Sequence, residues 1–199
     1  MLGMMLTTTT TVTFYLITAY MPTYGSAVLH LSTRQSMIVT LCAGLTNLAW
    51  LLVMGSFSDR VGRHPLLLTF SLLALLTAYP ALSWLVVEPS FGRLLAVALW
   101  FSMIFGSYNG AMVVFLTEIM PAEVRASGFS LAYSLAAGIF GGFTPAVSTF
   151  LIHITGNRAM PGVWLSFAGA MGLTATALLH GKSQQRKRAV NAVHELPIG

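Results

Sequence analysis

The residues with the most chemistry form a charged segment between two long apolar stretches: Gly55-Ser-Phe-Ser-Asp59-Arg60-Val-Gly62-Arg63-His64. Its carboxylate and guanidinium groups can pair with each other, with helix ends or with lipid phosphates. Gly55 allows two helices to approach closely, and Gly62 permits a tight turn with positive φ. Such groups indicate architecture and gating, and they identify no substrate. The alternative is an ordinary basic loop with a turn glycine.

A second charged segment follows the fourth apolar stretch: Glu118-Ile-Met-Pro121-Ala-Glu123-Val-Arg125-Ala-Ser-Gly128. Pro121 is expected to stop the preceding helix. The carboxylate of Glu118 could pair with an arginine in one arrangement of the helices and release it in another. Three arginines are candidates for that pair: Arg60, Arg63 and Arg125. The pattern predicts a gate latch, and the alternative is a solvated turn.

The elements that position these segments are membrane helices. Only 8% of the 199 residues are charged and 56% are hydrophobic, whereas a soluble domain has about 25% charged residues. A helix needs about 20 mostly apolar residues to cross a bilayer. Six segments qualify: 3–25, 36–56, 65–86, 93–116, 127–151 and 162–180. We therefore expect an all-α, polytopic membrane domain over residues 1–180 and a basic tail over residues 181–199.

The basic residues predict the orientation, because lysine and arginine favour the cytoplasmic side. One side of the membrane carries the larger group: Arg60, Arg63, Arg125, Lys182, Arg186, Lys187 and Arg188. The other side carries the smaller group: Arg34, Arg93 and Arg158. Both termini are therefore expected in the cytoplasm. Because the first basic residue is Arg34, the N-terminus does not have the charged start of a signal peptide.

The net charge of +5 comes largely from the tail, where it favours anionic lipid headgroups over nucleic acid as partner. The single cysteine, Cys42, forms no internal disulfide. No spacing of ligands indicates a metal site or a cofactor. An intramembrane protease would need a serine and a histidine at similar depth, but every histidine lies at a span end, in a joint or in the tail.

Polar side chains in the first and fourth spans predict a route through the membrane. Thr7, Thr11, Tyr15 and Thr18 recur at helical spacing and share one face. They could form a wall of a substrate pathway, or the threonines could bond carbonyls of their own helix. Asn47, Tyr108 and Asn109 must face the bundle, since an unpaired amide in lipid is costly. For Asn47 we favour a bond between helices, and for Asn109 the pathway.

Glycines and one proline predict close packing and a break. Gly106/Gly110 and Gly138/Gly142 are G-x-x-x-G pairs, which let helices approach closely. Pro145 should break or kink the fifth span. No Asp, Glu, Lys, Arg or His lies deep within any predicted span. A buried proton carrier, or a cation for an anionic substrate, would have to come from outside this chain.

Together these features resemble the major facilitator superfamily. The first charged segment is similar to its loop motif G-x-x-x-D-R/K-x-G-R-R/K, with His64 in place of the last basic residue. The second is similar to the E-x-x-P-x-x-x-R element of sugar and metabolite porters. Longer stretches resemble the metabolite:proton symporter branch, especially the bacterial citrate and tricarballylate carriers: residues 4–8, 12–20, 108–112, 117–125 and 141–146.

The resemblance implies one half, helices seven to twelve, of a twelve-helix carrier of the bacterial inner membrane. Such a carrier takes up citrate or tricarballylate with protons by alternating access. The first and fourth helices of each half line the cavity, which assigns the Thr7–Thr18 stripe, Tyr108 and Asn109 to the pathway. The missing partner is an N-terminal half that carries the coupling charges.

Two alternatives stay open. The chain could be a non-transporting membrane fragment, or an interaction module that pairs with another carrier half. It could also pair with a second copy of itself, which suits the parallel relation of the two halves. Our leading hypothesis is a half-carrier that does not transport alone.

Overall fold

The structure is a computed structural model that describes residues 1–120 and 125–194, and side chains up to residue 179. Within these residues the chain forms six helices long and apolar enough to cross a membrane. The helices are α1 (Leu2–Val28), α2 (Thr33–Val61), α3 (Arg63–Val87), α4 (Phe91–Ile119), α5 (Arg125–Thr155) and α6 (Pro161–His194). The prediction of an all-α chain with six such helices is confirmed.

Two of the earlier predictions concern residues that lie partly or wholly outside this description. The helix stop at Pro121 falls in 121–124, outside the described residues, as do 195–199. In the predicted basic tail the backbone continues α6 as far as His194. The division at residue 180 between a bundle and a tail stays a prediction.

The helix ends follow local capping rules. At the start of α2, Ser32 accepts from the Gln35 amide, and the Gln35 side chain accepts from the Ser32 amide, which is a capping box. At the start of α4, Ser90 accepts from the Arg93 amide. Gly62 separates α2 from α3 with a φ of 94°, a backbone angle that residues with a side chain rarely adopt.

Two helices contain π-helical turns that interrupt their regular α-helical geometry. In α1, two π-helical turns occupy Leu16–Tyr20 and Tyr24–Val28. In α5, a π-helical turn at Ala137–Gly141 is followed by a new helical start at Thr144. Pro145 lies in the first turn of that second half, where its missing N–H is not needed. The predicted break in the fifth span is therefore present, just before Pro145.

Glycines bring the helices together. A Cβ atom at Gly106 would lie 3.0 Å from the Asn47 carbonyl oxygen, and one at Gly110 would lie 3.2 Å from the Gly55 nitrogen. The backbones of α2 and α4 therefore touch, as the Gly106/Gly110 pair predicts. On the other side of the bundle, Gly169 of α6 packs against the backbone of α3 in the same way.

The second glycine pair does not pack within the described residues. A Cβ at Gly138 would meet no atom within 4 Å, and one at Gly142 would meet only carbonyls of its own helix. Instead Gly141 faces α1, where a Cβ would lie 2.7 Å from the Tyr15 ring. The π-helical turn adds one residue to the helical repeat, so the contact falls on Gly141.

Burial differs strongly among the helices. In the most apolar 18-residue stretches of α1 and α4, 56% and 61% of the residues are buried, against 17% and 22% in α2 and α5. α1 packs against α4, α5 and α6, so it lies inside the bundle. α2 and α5 instead expose most of their surface.

The contact between α2 and α4 gives a stability prediction. Gly106→Ala would place a methyl group 2.8 Å from the Trp50 Cβ and against α2 backbone. Overpacking of this kind costs about 1–3 kcal/mol. The matched control is Gly44→Ala, because Gly44 is also in mid-helix but has no atom within 4 Å of its Cβ position. We expect Gly106→Ala to lower the thermal midpoint of the purified chain in detergent relative to Gly44→Ala. Equal midpoints would contradict the backbone contact.

Candidate gate and substrate pathway

The two charged segments meet at one end of the bundle. The Arg63 guanidinium lies 2.9 Å from the Asp59 carboxylate and forms a second ion pair with Glu118 Oε1. One side chain thus joins the end of α2, the start of α3 and the end of α4. We call this set of three residues the Arg63 cluster.

The glycine contacts explain why Glu118 reaches Arg63. α2 and α4 run parallel, and Gly55 lies against Gly110. α2 continues from Gly55 to Val61, and Arg63 follows across the turn at Gly62. Glu118 follows Gly110 by eight residues along α4, about 12 Å at the helical rise. The two side chains therefore arrive at the same height.

The Arg63 cluster is partly open to solvent. The side chain of Arg63 is 25% exposed, that of Glu118 50% and that of Asp59 65%. An exposed ion pair contributes only about 0.2–1 kcal/mol, and both carboxylates would stay exposed to water if the pairs opened. These properties suit a contact that forms in one conformation and opens in another.

The structure distinguishes the three arginines considered for Glu118. Within the described residues Glu118 pairs with Arg63, and Arg60 and Arg125 make no ion pair with it. Arg60 is exposed at the end of α2, and Arg125 is exposed at the start of α5.

The polar stripe of α1 divides at the first π-helical turn. Thr7 and Thr11 are fully buried, and each hydroxyl lies between carbonyls of α1 itself, at 3.0–3.2 Å, and a carbonyl of α5, that of Ala132 or Ala136, at 3.2 or 3.3 Å. Each hydroxyl has one proton to donate, so the bonds to their own helix that the sequence offered as the alternative are present at the shorter distance. Tyr15 is half-buried, with its ring over Gly141. Thr18 is half-buried and donates to the Phe14 carbonyl of its own helix at 2.7 Å. The stripe therefore binds α5 at one end and reaches the surface at the other.

Tyr108 points into the bundle. It is 1% exposed, and its hydroxyl donates to the Leu6 carbonyl of α1 at 3.1 Å. A Cβ at Gly172 of α6 would lie 2.9 Å from that hydroxyl. Tyr108 thus joins α4 to α1 and contacts other helices of the bundle instead of an open surface.

The two asparagines have incompletely used amide groups. Asn47 is buried in α2 beside α4, and Asn109 is half-buried in α4. Neither Oδ1 atom receives a hydrogen bond from the described residues. A polar oxygen in this state is costly away from water, so each is suited to accept from a group outside the described structure.

Aromatic rings mark the surface shared by α1 and α4. The Phe14 and Phe105 rings lie 5.6 Å apart between the two helices, and Phe14 lies 5.7 Å from Tyr15. Asn109 follows Phe105 by one helical turn and therefore shares its face. We call Phe14, Tyr15, Phe105 and Asn109 the α1–α4 face. Phe14 and Phe105 were not among the residues predicted from the sequence, although Phe105 and Asn109 are separated by one helical turn.

Among the described residues no group of three or more His, Cys, Asp or Glu side chains could hold a metal ion. The acidic residues with described side chains lie at helix ends: Asp59, Glu88 and Glu118.

Comparison with known proteins gives the family. Residues 3–196 match the Major Facilitator Superfamily. The chain is 56% identical to the citrate-proton symporter of Klebsiella pneumoniae over 91% of its length, and 54% identical to that of Salmonella typhi over 89%. It is 28% identical to a proline/betaine transporter of Escherichia coli K12 over 94% of its length. No solved structure matches.

The matched region is only part of these relatives. The alignment covers 41% of the two citrate-proton symporters and 37% of the proline/betaine transporter. The chain thus spans about two fifths of the length of the curated relatives that it matches. With its six apolar helices and its match over nearly the whole chain, this multi-pass membrane protein belongs to the Major Facilitator Superfamily of transporters.

Proposed function

We propose that this chain is the C-terminal half of a carrier that moves citrate or a related tricarboxylate together with protons by alternating access. The observation that carries the proposal is the 56% identity to a citrate-proton symporter over 91% of the chain, of which the chain covers 41%. Six helices are half of the twelve expected for the superfamily. The chain is therefore expected to need an N-terminal half of six more helices.

The outward faces of α2 and α5 suit contact with that half. Both faces combine large apolar side chains with glycines that contact no other helix among the described residues. Exposed examples on α2 are Leu41, Gly44, Leu45, Leu48 and Leu52. Exposed examples on α5 are Leu131, Leu135, Gly138, Ile139 and Gly142. Small residues among large ones let a second bundle approach closely.

The substrate pathway is assigned to the surface half of the predicted stripe. Tyr15 and Asn109 lie on the α1–α4 face, where the Tyr15 O–H and the Asn109 amide N–H groups could donate to carboxylate oxygens. Thr18 lies beside them, with its own proton donated to the Phe14 carbonyl. The unpaired Oδ1 atoms of Asn47 and Asn109 accept only, and would take a donor such as a hydroxyl of the substrate. In this proposal Thr7, Thr11 and Tyr108 stand behind the pathway wall, where their hydrogen bonds hold α1 in place.

The coupling charges are assigned to the other half. A tricarboxylate carries several negative charges, and a symported proton needs an acceptor within the membrane. The spans of this chain offer hydroxyls, amides and aromatic rings but no ionisable group at depth. A cation for the substrate and an acidic residue or histidine for the proton are therefore expected in the N-terminal half.

The Arg63 cluster is proposed as the gate latch at the cytoplasmic end. It links α2, α3 and α4 through pairs that are partly exposed and weak enough to open. With that end in the cytoplasm both termini would be cytoplasmic too, as the distribution of basic residues favours. We propose a bacterial inner membrane for the carrier because the citrate-proton symporters that it resembles are bacterial proteins.

Uptake of labelled citrate tests the assignment of function. Cells without their own citrate carriers would express this chain alone, or together with the N-terminal six helices of the Klebsiella pneumoniae relative. We expect uptake that depends on the proton gradient only when both halves are present in the membrane. Uptake by this chain alone would contradict the half-carrier proposal. Absence of uptake with both halves inserted would favour the non-transporting fragment.

Replacing Asn109 tests the pathway. A hydrogen bond to a charged group contributes roughly 1.5–3 kcal/mol, so Asn109→Ala should reduce uptake by the paired halves about tenfold or more. The control is Thr174→Ala, because Thr174 is an exposed polar residue of α6 that bonds only its own helix. Equal uptake by the two variants would remove Asn109 from the pathway.

Distance measurements test the latch. Spin labels at Val61 and Ile119, in a chain carrying Cys42→Ala, report the separation of the α2 and α4 ends. Glu118→Gln should broaden the distance distribution, because it removes the pair with Arg63. Glu88→Gln is the matched control, since it breaks an arginine pair in the distant turn between α3 and α4. A distribution that Glu118→Gln leaves as narrow as the control would show that the pair does not hold the ends.

A further inference from the structure

A groove opens on the outer surface between α3 and α4, away from the α1–α4 face. Its volume is about 320 Å³, within the range of about 300–1,000 Å³ typical of small-ligand sites. The α3 wall is Leu76, Thr77, Pro80, Ala81 and Trp84, and the α4 wall is Ala96, Val97 and Trp100. Phe105 and Trp100 are five residues apart, about 140° around the helix, so groove and pathway lie on different sides.

The groove is apolar because its polar groups are already paired. The Trp100 indole N–H donates to the Thr77 hydroxyl at 2.9 Å. That hydroxyl in turn donates to the Leu73 carbonyl at 2.6 Å. What remains for an occupant is the surface of two indole rings, small alanines and aliphatic side chains. In a membrane such a surface suits an acyl chain.

One end of the groove carries both signs of charge. The Arg93 guanidinium lies 4.9 Å from the centre of the Trp84 ring and donates to the Trp84 carbonyl at 3.1 Å. It also pairs with Glu88 at 2.5 Å. The Glu88 side chain is 75% exposed and that of Arg93 is 24% exposed. A cation and an accessible carboxylate thus stand side by side at the turn between α3 and α4.

This charge pattern matches a zwitterionic headgroup. A phosphate could bind the remaining N–H groups of Arg93, and a primary ammonium could pair with Glu88. An anionic headgroup without an amine would bring its negative charge close to the Glu88 carboxylate and offer no cation to pair with it. Arg93 also lies one turn from Ala96 and Val97, so a chain attached to that phosphate would run directly into the groove.

We propose that the groove between α3 and α4 binds one phosphatidylethanolamine molecule, with its phosphate on Arg93, its ammonium on Glu88 and one acyl chain between Trp84 and Trp100. The site is independent of the tricarboxylate pathway. It is also distinct from the basic tail, where any anionic lipid would serve.

The fluorescence of the two tryptophans that line the groove can report which lipid occupies it. The full chain carrying Trp50→Phe and Trp164→Phe keeps only Trp84 and Trp100 as indoles. It would be reconstituted in phosphatidylcholine bilayers with increasing fractions of phosphatidylethanolamine or phosphatidylglycerol brominated on the acyl chain. Bromine quenches indole fluorescence on contact, so the curve reports how much of each lipid occupies the groove.

We expect half-maximal quenching at a fraction of phosphatidylethanolamine about tenfold lower than that of phosphatidylglycerol, as one additional hydrogen bond to a charged group would produce. Glu88→Gln should remove this preference. Ala96→Phe should fill the groove and make quenching follow the mole fraction of either lipid. Ala177→Phe, at an exposed site on α6, should leave the preference unchanged.

Equal curves for the two lipids would overturn the headgroup assignment. A preference that survives Ala96→Phe would overturn the groove as its source. Neither result depends on citrate uptake. Failure of the lipid proposal can therefore be distinguished from failure of the proposed transport function.

Discussion

The contact between α2 and α4 sets the register of the bundle, because two glycines of α4 bring the helix backbones together. Gly106 and Gly110 face α2 at successive turns, and Gly55 of α2 forms part of that contact. Lipid supplies little hydrophobic drive for helices to associate, so close backbone packing is a main source of their attraction. Once this register is fixed, the ends of the two helices coincide, and Arg63 lies where Glu118 can reach it.

The buried threonines pack α1 against α5. Thr7 and Thr11 lie within hydrogen-bond distance of carbonyls of the first half of α5 as well as of their own helix, while the second half of α5 is held to α6 by the bond from the Trp164 indole to Thr144. The junction between these halves is the π-helical turn that ends at Gly141. The two parts of α5 are therefore attached to different neighbours, with the irregular winding between them.

The six helices could be predicted from the sequence because each is a long run of apolar residues. The charged residues of the Arg63 cluster could be predicted because they occur at the fixed spacing of a known motif. Sequence reasoning could not choose Arg63 over Arg60 and Arg125 as the partner of Glu118, since that choice depends on the glycine register of α2 and α4. It expected Gly138 and Gly142 to pack, but a π-helical turn leaves no composition signal and shifts the contact to Gly141. It also treated the α1 stripe as one surface, although the fifth helix covers Thr7 and Thr11 and leaves Tyr15 and Thr18 near the surface.

The distribution of charge gives the bundle its functional character. In the described residues every carboxylate stands at a helix end beside an arginine, and the membrane depth holds only neutral polar groups. Neutral hydroxyls and amides can bind a carboxylate through hydrogen bonds, but they can neither balance its charge nor take up a proton at neutral pH. A bundle of this composition can shape a pathway and move as a unit while a partner supplies the charges. In the proposed carrier the Arg63 cluster is the place where this motion is controlled, since its pairs are partly exposed to water, whereas the buried bond from Tyr108 to the Leu6 carbonyl holds α1 to α4.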